Sequence, residues 1–324
     1  MKISILVFLF FLLKIFPQEL IIKSKQTNKQ WGYILSSSLV KWKEDYIEQI
    51  ISKYDILCIN GLELNGRGQL RYTLAWSEKI SKTILGKKEN KLKIYPMIVV
   101  SSVRDGIELL NSKKSQLKSI EQIKLFLKEN DLKGIHFDIE YLPIEYDAKL
   151  ADYFKFIKEE LTKESIILTI SFFPQIGFNT SISKLHNPEL ISKSVDQIVL
   201  MSYDYHNKKT DAGCVTSYDL SRKNIIELLK YFKPNQIWLG IPAYGYEWFI
   251  NKKKINVLSS YDGKERQRIN QGSREESGCI KIIKQNESLL YFPDKETRDE
   301  LNKISEEFNL IGTAIWRLGL EEKN

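Results

Sequence analysis

Short apolar segments recur along the chain and alternate with amphipathic stretches, and this alternation constrains the fold most strongly. Eight segments have the length and composition of strands: Trp31–Leu35, Ile56–Asn60, Ile94–Val100, Gly134–Glu140, Ile166–Phe172, Gln197–Met201, Ile237–Ile241 and Ile311–Trp316. Between most of them, apolar residues recur at the three- and four-residue spacing of helices, as in Ile120, Ile123 and Leu127. Strands that alternate with helices favour an α/β fold, and eight of them predict a (β/α)8 TIM barrel. A chain of 324 residues is long enough for one such barrel with its loops.

Two parts of the chain depart from the alternation. Residues 245–293 are polar and rich in charge, with little periodicity. They follow the seventh strand, so we expect a loop insertion at the carboxyl ends of the barrel strands. A solvated surface excursion is the alternative, although the length favours some structure of its own. Only eight residues follow Trp316, so we expect the last helix to be truncated or missing.

The amino terminus has the pattern of a signal peptide. Lys2 precedes an apolar run over residues 3–13, which suits a signal-peptide core and is short for a membrane span. We therefore predict a signal peptide over residues 1–24 and a single barrel domain over 25–324. An uncleaved signal anchor is the alternative. The domain is then expected in the secretory or lysosomal lumen, or outside the cell, without membrane contact once the signal is cleaved.

Glycosylation sequons and cysteines are compatible with that compartment. N-x-S/T sequons begin at Asn179 and Asn286. Cys58 lies in an apolar run and is expected to be a buried free thiol. Cys214 and Cys279 lie in polar stretches and could form one disulfide.

The composition argues against several classes of function. The formal net charge is +8, but lysine recurs along the whole length, and no basic run is interleaved with aromatic residues. We therefore expect no nucleic-acid partner. The histidines and cysteines are scattered, so we expect no metal and no cofactor. The sequence leaves the oligomeric state open, and a monomer is the working expectation.

The segment Lys133–Tyr141 reads KGIHFDIEY and places two carboxyl groups in an apolar, strand-like run. Side chains on a strand alternate between its two faces. One face, expected to pack against helices, is apolar: Ile135, Phe137 and Ile139. The other face carries the small and polar residues: Gly134, His136, Asp138 and Glu140.

Carboxyl groups in such a position indicate a catalytic site. Their burial is costly unless they are paired or hydrogen-bonded, and the carboxyl end of a barrel strand is where this fold places chemistry. Two like charges in proximity favour a shared proton, which raises one pKa and suits that group to acid catalysis. The alternative is that Asp138 and Glu140 cap the strand or pair with basic side chains such as Lys133.

Three further motifs follow in the order that a barrel requires. The sixth strand leads into Met201–Asp204, which reads MSYD, and the seventh leads into Gly240–Gly245, which reads GIPAYG. The eighth strand ends with Trp316. Together with Lys133–Glu140, these segments resemble the family 18 glycoside hydrolases, the group containing chitinases and di-N-acetylchitobiase. Their patterns are D-G-x-D-x-D-x-E, M-x-Y-D and G-[VI]-P-x-Y-G, with a tryptophan ending the last strand.

The first half of the fourth-strand pattern is altered. Lys133 and His136 replace its first two aspartates, whereas Asp138 and Glu140 match the last two. We expect Lys133 to turn outward or to form an ion pair. We expect His136 to hydrogen-bond Asp138. With a pKa near the reference value of about 6.5, its titration should then change the activity around pH 5–7, and His136→Asn should flatten that change.

The resemblance implies a retaining, substrate-assisted hydrolase of β-1,4-linked N-acetylglucosamine glycosides, such as chitin or its oligosaccharides. It implies that Glu140 acts as general acid and then general base, and that Asp138 orients the acetamido N–H and offsets positive charge. Tyr203 is expected to hydrogen-bond the acetamido oxygen. Trp316 is expected to stack beneath the sugar, with simple barrel filling as the alternative. The other expected substrate contacts are Asp204, Tyr244, Met201 and His136.

A second function remains open from the sequence. The same barrel could be a catalytically silent, lectin-like oligosaccharide-binding protein, although such relatives usually lose the acid that Glu140 provides. The sequence leaves open whether cleavage is exo or endo, and whether the substrate is chitin, peptidoglycan or an N-glycan.

Overall fold

The computed structural model describes residues 28–39, 41–72, 92–252, 254–284 and 287–321. Within this part of the chain, eight parallel strands close into a barrel in the order β1-β2-β4-β5-β6-β7-β8-β14. The strands are β1 (Lys29–Leu35), β2 (Ile56–Leu64), β3 (Leu70–Tyr72), β4 (Lys93–Val100), β5 (Gly134–Asp138), β6 (Ile167–Phe172), β7 (Gln197–Leu200), β8 (Ile237–Pro242), β9 (Tyr244–Phe249), β10 (Ile255–Ser259), β11 (Gly272–Arg274), β12 (Ile280–Lys284), β13 (Ser288–Phe292) and β14 (Gly312–Trp316).

Helices surround the barrel and connect its strands. They are α1 (Ser36–Leu39), α2 (Glu44–Ile51), α3 (Val103–Asn111), α4 (Lys113–Glu129), α5 (Asp147–Thr162), α6 (Thr180–Ser183), α7 (Pro188–Ser194), α8 (Tyr218–Leu228), α9 (Ser260–Ile269) and α10 (Lys295–Glu307). Several begin with a side-chain cap, as where the Ser102 hydroxyl accepts a hydrogen bond from the Asp105 N–H. The TIM-barrel prediction is confirmed, and the described residues 317–321 after the last strand form no helix.

Two apolar layers hold the barrel together, as the alternation on β5 predicts. Ile135, Phe137 and Ile139 are buried between the strands and the surrounding helices. The opposite face of the sheet fills the barrel with a second cluster, which includes Trp31, Cys58, Tyr95, Met97 and Trp238. A Cβ atom at Gly134 would lie 2.0 Å from the Tyr95 ring, so glycine at this position leaves room for that ring inside the barrel.

The insertion after β8 has a structure of its own, as its length suggested. It forms a five-stranded antiparallel sheet in the order β10-β9-β13-β12-β11, covered by α9. A small core lies beneath it: Leu258, Ile280, Ile282, Leu290 and Phe292. A disulfide between Cys214 and Cys279 ties the insertion to the loop after β7, which confirms that pairing. Cys58 is a buried free thiol, also as predicted.

Some sequence predictions lie outside the described residues. These are the signal peptide over residues 1–24 and the sequon at Asn286. Asn179, which begins the other sequon, is exposed and caps α6. Lys133 turns outward to solvent at the start of β5, and no ion pair involves it within the described part of the chain. No helix among the described residues is long and apolar enough to span a membrane.

Candidate active site

Asp138 and Glu140 lie together at the carboxyl end of β5. Asp138 ends the strand and Glu140 follows two residues later, so both side chains point into the mouth of the barrel. The carboxyl groups interact directly with each other, and the Ser171 hydroxyl on β6 interacts with Asp138. One atom of the pair, Asp138 Oδ1, is buried and has no hydrogen-bond partner in the part of the chain that the structure describes.

The pair favours retention of one proton. Burial raises the pKa of Asp138, and its neighbours Ser171 and Glu140 partly oppose that rise. Burial also raises the pKa of Glu140 well above its usual value, and the negative charge of Asp138 raises it further. Because Glu140 is disfavoured as an anion by both effects, it is the group that carries the proton. This arrangement supplies an acid next to a carboxylate, as the spacing predicted.

His136 lies below this pair, fully buried in the barrel, and two expectations about it are wrong. Its Nδ1 lies 2.9 Å from the Thr169 hydroxyl, and its Nε2 lies 3.0 Å from both the Tyr33 and Ser171 hydroxyls. It therefore does not hydrogen-bond Asp138 and does not reach a ligand. Burial lowers the pKa of His136 to about 3, so it does not titrate around pH 5–7.

The hydrogen-bond network around His136 instead orients Ser171. The Thr169 hydroxyl donates to the Ile135 carbonyl, so its oxygen accepts from His136 Nδ1–H. In the neutral ring Nε2 is then the only acceptor, and it can accept from only one of the two neighbouring hydroxyls, those of Tyr33 and Ser171. When the Tyr33 hydroxyl donates to Nε2, the Ser171 hydroxyl is free to donate to Asp138. His136 is thus a buried positioning residue for the carboxylate.

The segment after β7 brings Tyr203 and Asp204 close to the carboxyl pair. A Cβ atom at Gly240 would lie 2.5 Å from the Leu200 carbonyl oxygen and 2.9 Å from Tyr203 Cε1, so glycine permits the close approach of Tyr203 to β8. Burial and the charges of Asp138, Glu140 and Asp204 raise the pKa of Tyr203 well above its usual value. Its phenol therefore remains a hydrogen-bond donor that faces the carboxyl groups.

Two tyrosines of the insertion strand β9 hold Asp204. The Tyr244 hydroxyl donates to Asp204 Oδ1 at 2.7 Å, and the Tyr246 hydroxyl donates to the same oxygen at 2.9 Å. Asp204 adopts a left-handed backbone conformation, with φ of 61°. Burial raises its pKa, and the two phenols oppose that rise. Both phenols bind the same oxygen, and among the described residues no side chain donates a hydrogen bond to the other oxygen of Asp204.

Aromatic side chains cluster near the carboxyl pair, at the mouth of the barrel. Trp316 ends β14, is partly exposed, and packs edge-on against Tyr33 with a centroid distance of 5.2 Å. Met201 and Tyr203 pack in the same cluster as the side chains that β9 contributes. A partly exposed indole can stack against a sugar ring, and the stacking role of Trp316 stays a prediction.

The structure brings together seven of the predicted site residues and adds several that sequence reasoning missed. The seven are Asp138, Glu140, Met201, Tyr203, Asp204, Tyr244 and Trp316. The missed ones are Tyr141, Ser171, Tyr246 and Trp248. Tyr141 directly follows Glu140 and interacts with its carboxyl group. In β9 the aromatic residues at 244, 246 and 248 alternate with other residues, and this period-two pattern was a signal that could have identified them.

Comparisons with known proteins agree with this geometry. The family model described as glycosyl hydrolases family 18 matches residues 29–321. The chain belongs to this family. It is accordingly a glycoside hydrolase built on the family's TIM barrel.

Individual relatives are distant in sequence. The uncharacterized glycosylase YvbX of Bacillus subtilis is 20% identical over 263 residues, which cover 75% of this chain and 76% of that protein. Among solved structures, the spore cortex-lytic enzyme SleL of Bacillus megaterium QM B1551 aligns with a TM-score of 0.79 and 18% identity, covering 93% of this chain and 72% of SleL. A class V chitinase from Nicotiana tobaccum in complex with NAG4 aligns with a TM-score of 0.77 and 14% identity, covering 90% and 94%.

Proposed function

We propose that this glycoside hydrolase cleaves β-1,4-linked N-acetylglucosamine glycosides with retention, and that the substrate's own acetamido group is the nucleophile. The observation that carries the proposal is the carboxyl pair: Glu140 interacts directly with Asp138, whose Oδ1 is buried and has no hydrogen-bond partner among the described residues. The NAG4 complex of the tobacco relative supports the choice of sugar.

Each group has a separate task in the first step. Glu140 donates its proton to the glycosidic oxygen as the C1–O bond breaks. The acetamido carbonyl oxygen attacks C1 and forms a cyclic oxazolinium-like intermediate. Asp138 Oδ1 accepts the acetamido N–H and offsets the positive charge that develops on the ring. Tyr203 donates to the acetamido oxygen and holds it near the attack geometry.

The second step reverses the role of Glu140. The carboxylate left by proton transfer removes a proton from water, which attacks C1 from the side that the leaving group vacated. The C1–O bond to the acetamido oxygen breaks, and the acetamido group is restored. Two displacements at C1 give net retention of configuration, and Glu140 ends the cycle protonated again.

The geometry disfavours direct attack by a protein carboxylate. Retaining glycosidases with a carboxylate nucleophile keep their two carboxyl groups about 5–5.5 Å apart on opposite sides of the bond, and substrate-assisted families are the exception. Here the two carboxyl groups stand two residues apart at the carboxyl end of one strand and interact directly. Asp138 is therefore placed to polarise and orient the acetamido group, and the nucleophile must come from elsewhere.

The test compares paired substrates and paired variants. Chromogenic chitobioside should be hydrolysed by the wild type, and Glu140→Gln should lower kcat about 10²–10⁴-fold. A matched chitobioside with a free amine in place of the reacting acetamido group should not be cleaved, because it lacks the carbonyl nucleophile. Efficient cleavage of the amine substrate would overturn the mechanism. Lack of activity on every N-acetylglucosamine glycoside would overturn the substrate class.

We further propose that the enzyme acts outside the cytoplasm, on the basis of the signal-like residues 1–24. Amino-terminal sequencing of the protein recovered from its native compartment tests this directly. A mature amino terminus between residues 17 and 25 is expected, and intact protein in the cytoplasm would contradict the proposal.

A further inference from the structure

A cavity of about 540 Å³ opens where β2 and β4 end, at the carboxyl ends of these two barrel strands. Three arginines from separate segments line it: Arg67 in the turn after β2, Arg71 on β3 and Arg104 in the first turn of α3. We refer to it as the arginine cleft. Its volume lies in the range of about 300–1,000 Å³ that is typical of small-molecule sites. Nothing in the proposed mechanism uses it.

The strand register places the arginine cleft next to the carboxyl pair. Val99 on β4 is paired with Asp138 on β5, and Ser101, two residues beyond Val99, lines the cleft. Val99 packs against the barrel interior, so Ser101 shares the face that points to the barrel mouth. Asn65, across the β2–β4 pair, lines the cleft as well. Neighbouring strands lie about 4.8 Å apart, so the cleft is within reach of the sugars adjoining a bound N-acetylglucosamine.

The cleft has a surplus of positive charge. Two carboxylates, Asp105 and Glu108, accompany the three arginines. Asp105 accepts hydrogen bonds from the Gly66 N–H at 2.7 Å and the Ser102 hydroxyl at 2.6 Å, and its charge also interacts with those of Arg104 and Arg71. Three arginines and two carboxylates leave a surplus of one positive charge. Within the described residues, no ion pair or hydrogen bond engages any of the three guanidinium groups. The amino-terminal end of α3 adds a partial positive charge at the same edge.

We propose that the arginine cleft binds a carboxylate carried by the substrate, so that the preferred glycan is an acidic polymer containing N-acetylglucosamine and not neutral chitin. Guanidinium groups pair with carboxylates through two parallel hydrogen bonds, whereas a neutral sugar polymer offers them no charged partner. The inference rests on the proposed glycosidase activity and specifies its substrate class.

The carboxylate could come from either of two parts of such a glycan. It could be an acidic ether on an amino sugar, as in N-acetylmuramic acid, or a carboxylate of a peptide attached to the sugar. Both present the same chemistry to the arginines. Substrates that contain one feature without the other separate the two sources.

The experiment compares three substrates of equal length. They are a neutral N-acetylglucosamine oligomer, an alternating N-acetylglucosamine and N-acetylmuramic acid oligomer without peptide, and the same oligomer with its peptides. We expect kcat/KM on one or both acidic substrates to exceed that on the neutral one at least tenfold, and the excess to fall as salt increases. A preference for the peptide-free acidic oligomer identifies the sugar carboxylate, and a preference limited to the peptide-bearing one identifies the peptide.

Variants assign the preference to the cleft. Arg71→Gln combined with Arg104→Gln should reduce the ratio of acidic to neutral kcat/KM about tenfold or more. Arg268→Gln is the matched control, because Arg268 is exposed on α9 of the insertion and pairs with Glu265. It should leave the ratio unchanged. Thermal unfolding of each variant establishes that its fold is intact. An equal ratio in the double variant and the control overturns the proposal.

Binding by an inactive variant separates the two proposals. Glu140→Gln should bind the preferred acidic oligomer at least tenfold more tightly than the neutral one, and the two additional arginine substitutions should abolish the difference. If this preference in binding is present while the wild type cleaves no substrate, the proposed reaction is contradicted and the proposed role of the arginine cleft is supported. If the wild type cleaves the neutral and acidic oligomers equally well, the proposed role of the cleft is contradicted and the proposed reaction is supported.

Discussion

Glu140→Gln should have opposite effects on activity and on stability, and the effect on stability should depend on pH. Burial and the neighbouring Asp138 raise the pKa of Glu140 well above its usual value. A carboxyl whose folded-state pKa is raised gives its full contribution to stability below the unfolded-state pKa of about 4.3, and loses it as the pH rises toward the folded-state pKa. Glutamine carries no such dependence.

The magnitude follows from proton linkage. Between the unfolded-state and the folded-state pKa of Glu140, the folded protein holds one proton that the unfolded protein releases. Over this pH range the free energy of unfolding of the wild type falls by about 1.4 kcal/mol per pH unit relative to that of Glu140→Gln. Between pH 5 and pH 7 the variant should therefore gain up to about 2.7 kcal/mol over the wild type. The cause is burial of the Glu140 carboxyl, which disfavours its charged form, together with repulsion from the negative charge of Asp138, so the folded protein keeps the proton.

Urea denaturation of both proteins at several pH values is the assay, with hydrolysis of chitobioside measured in parallel. Glu189→Gln serves as the control, because Glu189 is an exposed glutamate on α7 far along the chain from the pair. Glu189→Gln should not gain stability over the wild type as the pH rises, because the side chain is exposed and pairs with Lys193. A lack of such a gain for Glu140→Gln would mean that Glu140 is ionised and hydrated, and would refute the account of the acid.

Further predictions concern other parts of the barrel. Tyr203→Phe should lower kcat about 10²-fold with a smaller change in KM, because it removes one donor to the reacting acetamido oxygen; steady-state kinetics measure this. Gly134→Ala should destabilise the fold by about 1–3 kcal/mol by overfilling the barrel, as urea denaturation would show. Replacing both Cys214 and Cys279 with serine should cost about 2–5 kcal/mol, since their bond closes a 65-residue separation. His136→Asn should leave the shape of the pH profile between pH 5 and 8 unchanged, because burial lowers the pKa of His136 to about 3.

The barrel was predictable because its evidence is local. Each strand is a short apolar run, and the alternation of side chains on β5 separates the helix-facing residues from those that face the barrel interior. The pairing of Asp138 with Glu140 followed from the same period of two. The insertion was located correctly, but its five strands were not predicted. The short β11 has no apolar residue and β12 carries lysines, and the period-two aromatic pattern of β9 was overlooked.

The errors concern contacts between strands. His136 lies in the same row as Asp138, and the sequence could not tell whether its ring turns toward that carboxyl or toward β6. The register decides: His136 is paired with Thr169, and the hydroxyls of Thr169, Ser171 and Tyr33 take both ring nitrogens. The arginine cleft was missed for a similar reason. Its arginines belong to no recognisable sequence motif. They meet because β3, β2 and β4 are neighbours in the sheet, which brings the turn after β2, the strand β3 and the start of α3 together.

The configuration of the first product tests the central claim most directly. Rapid NMR of N-acetylglucosamine oligomers during hydrolysis by the wild type distinguishes the two anomers before they interconvert. Attack by the acetamido group followed by water predicts that the β-anomer appears first and the α-anomer only later, by mutarotation. An initial burst of the α-anomer would mean a single displacement by water, and would contradict the roles given to Asp138 and Glu140.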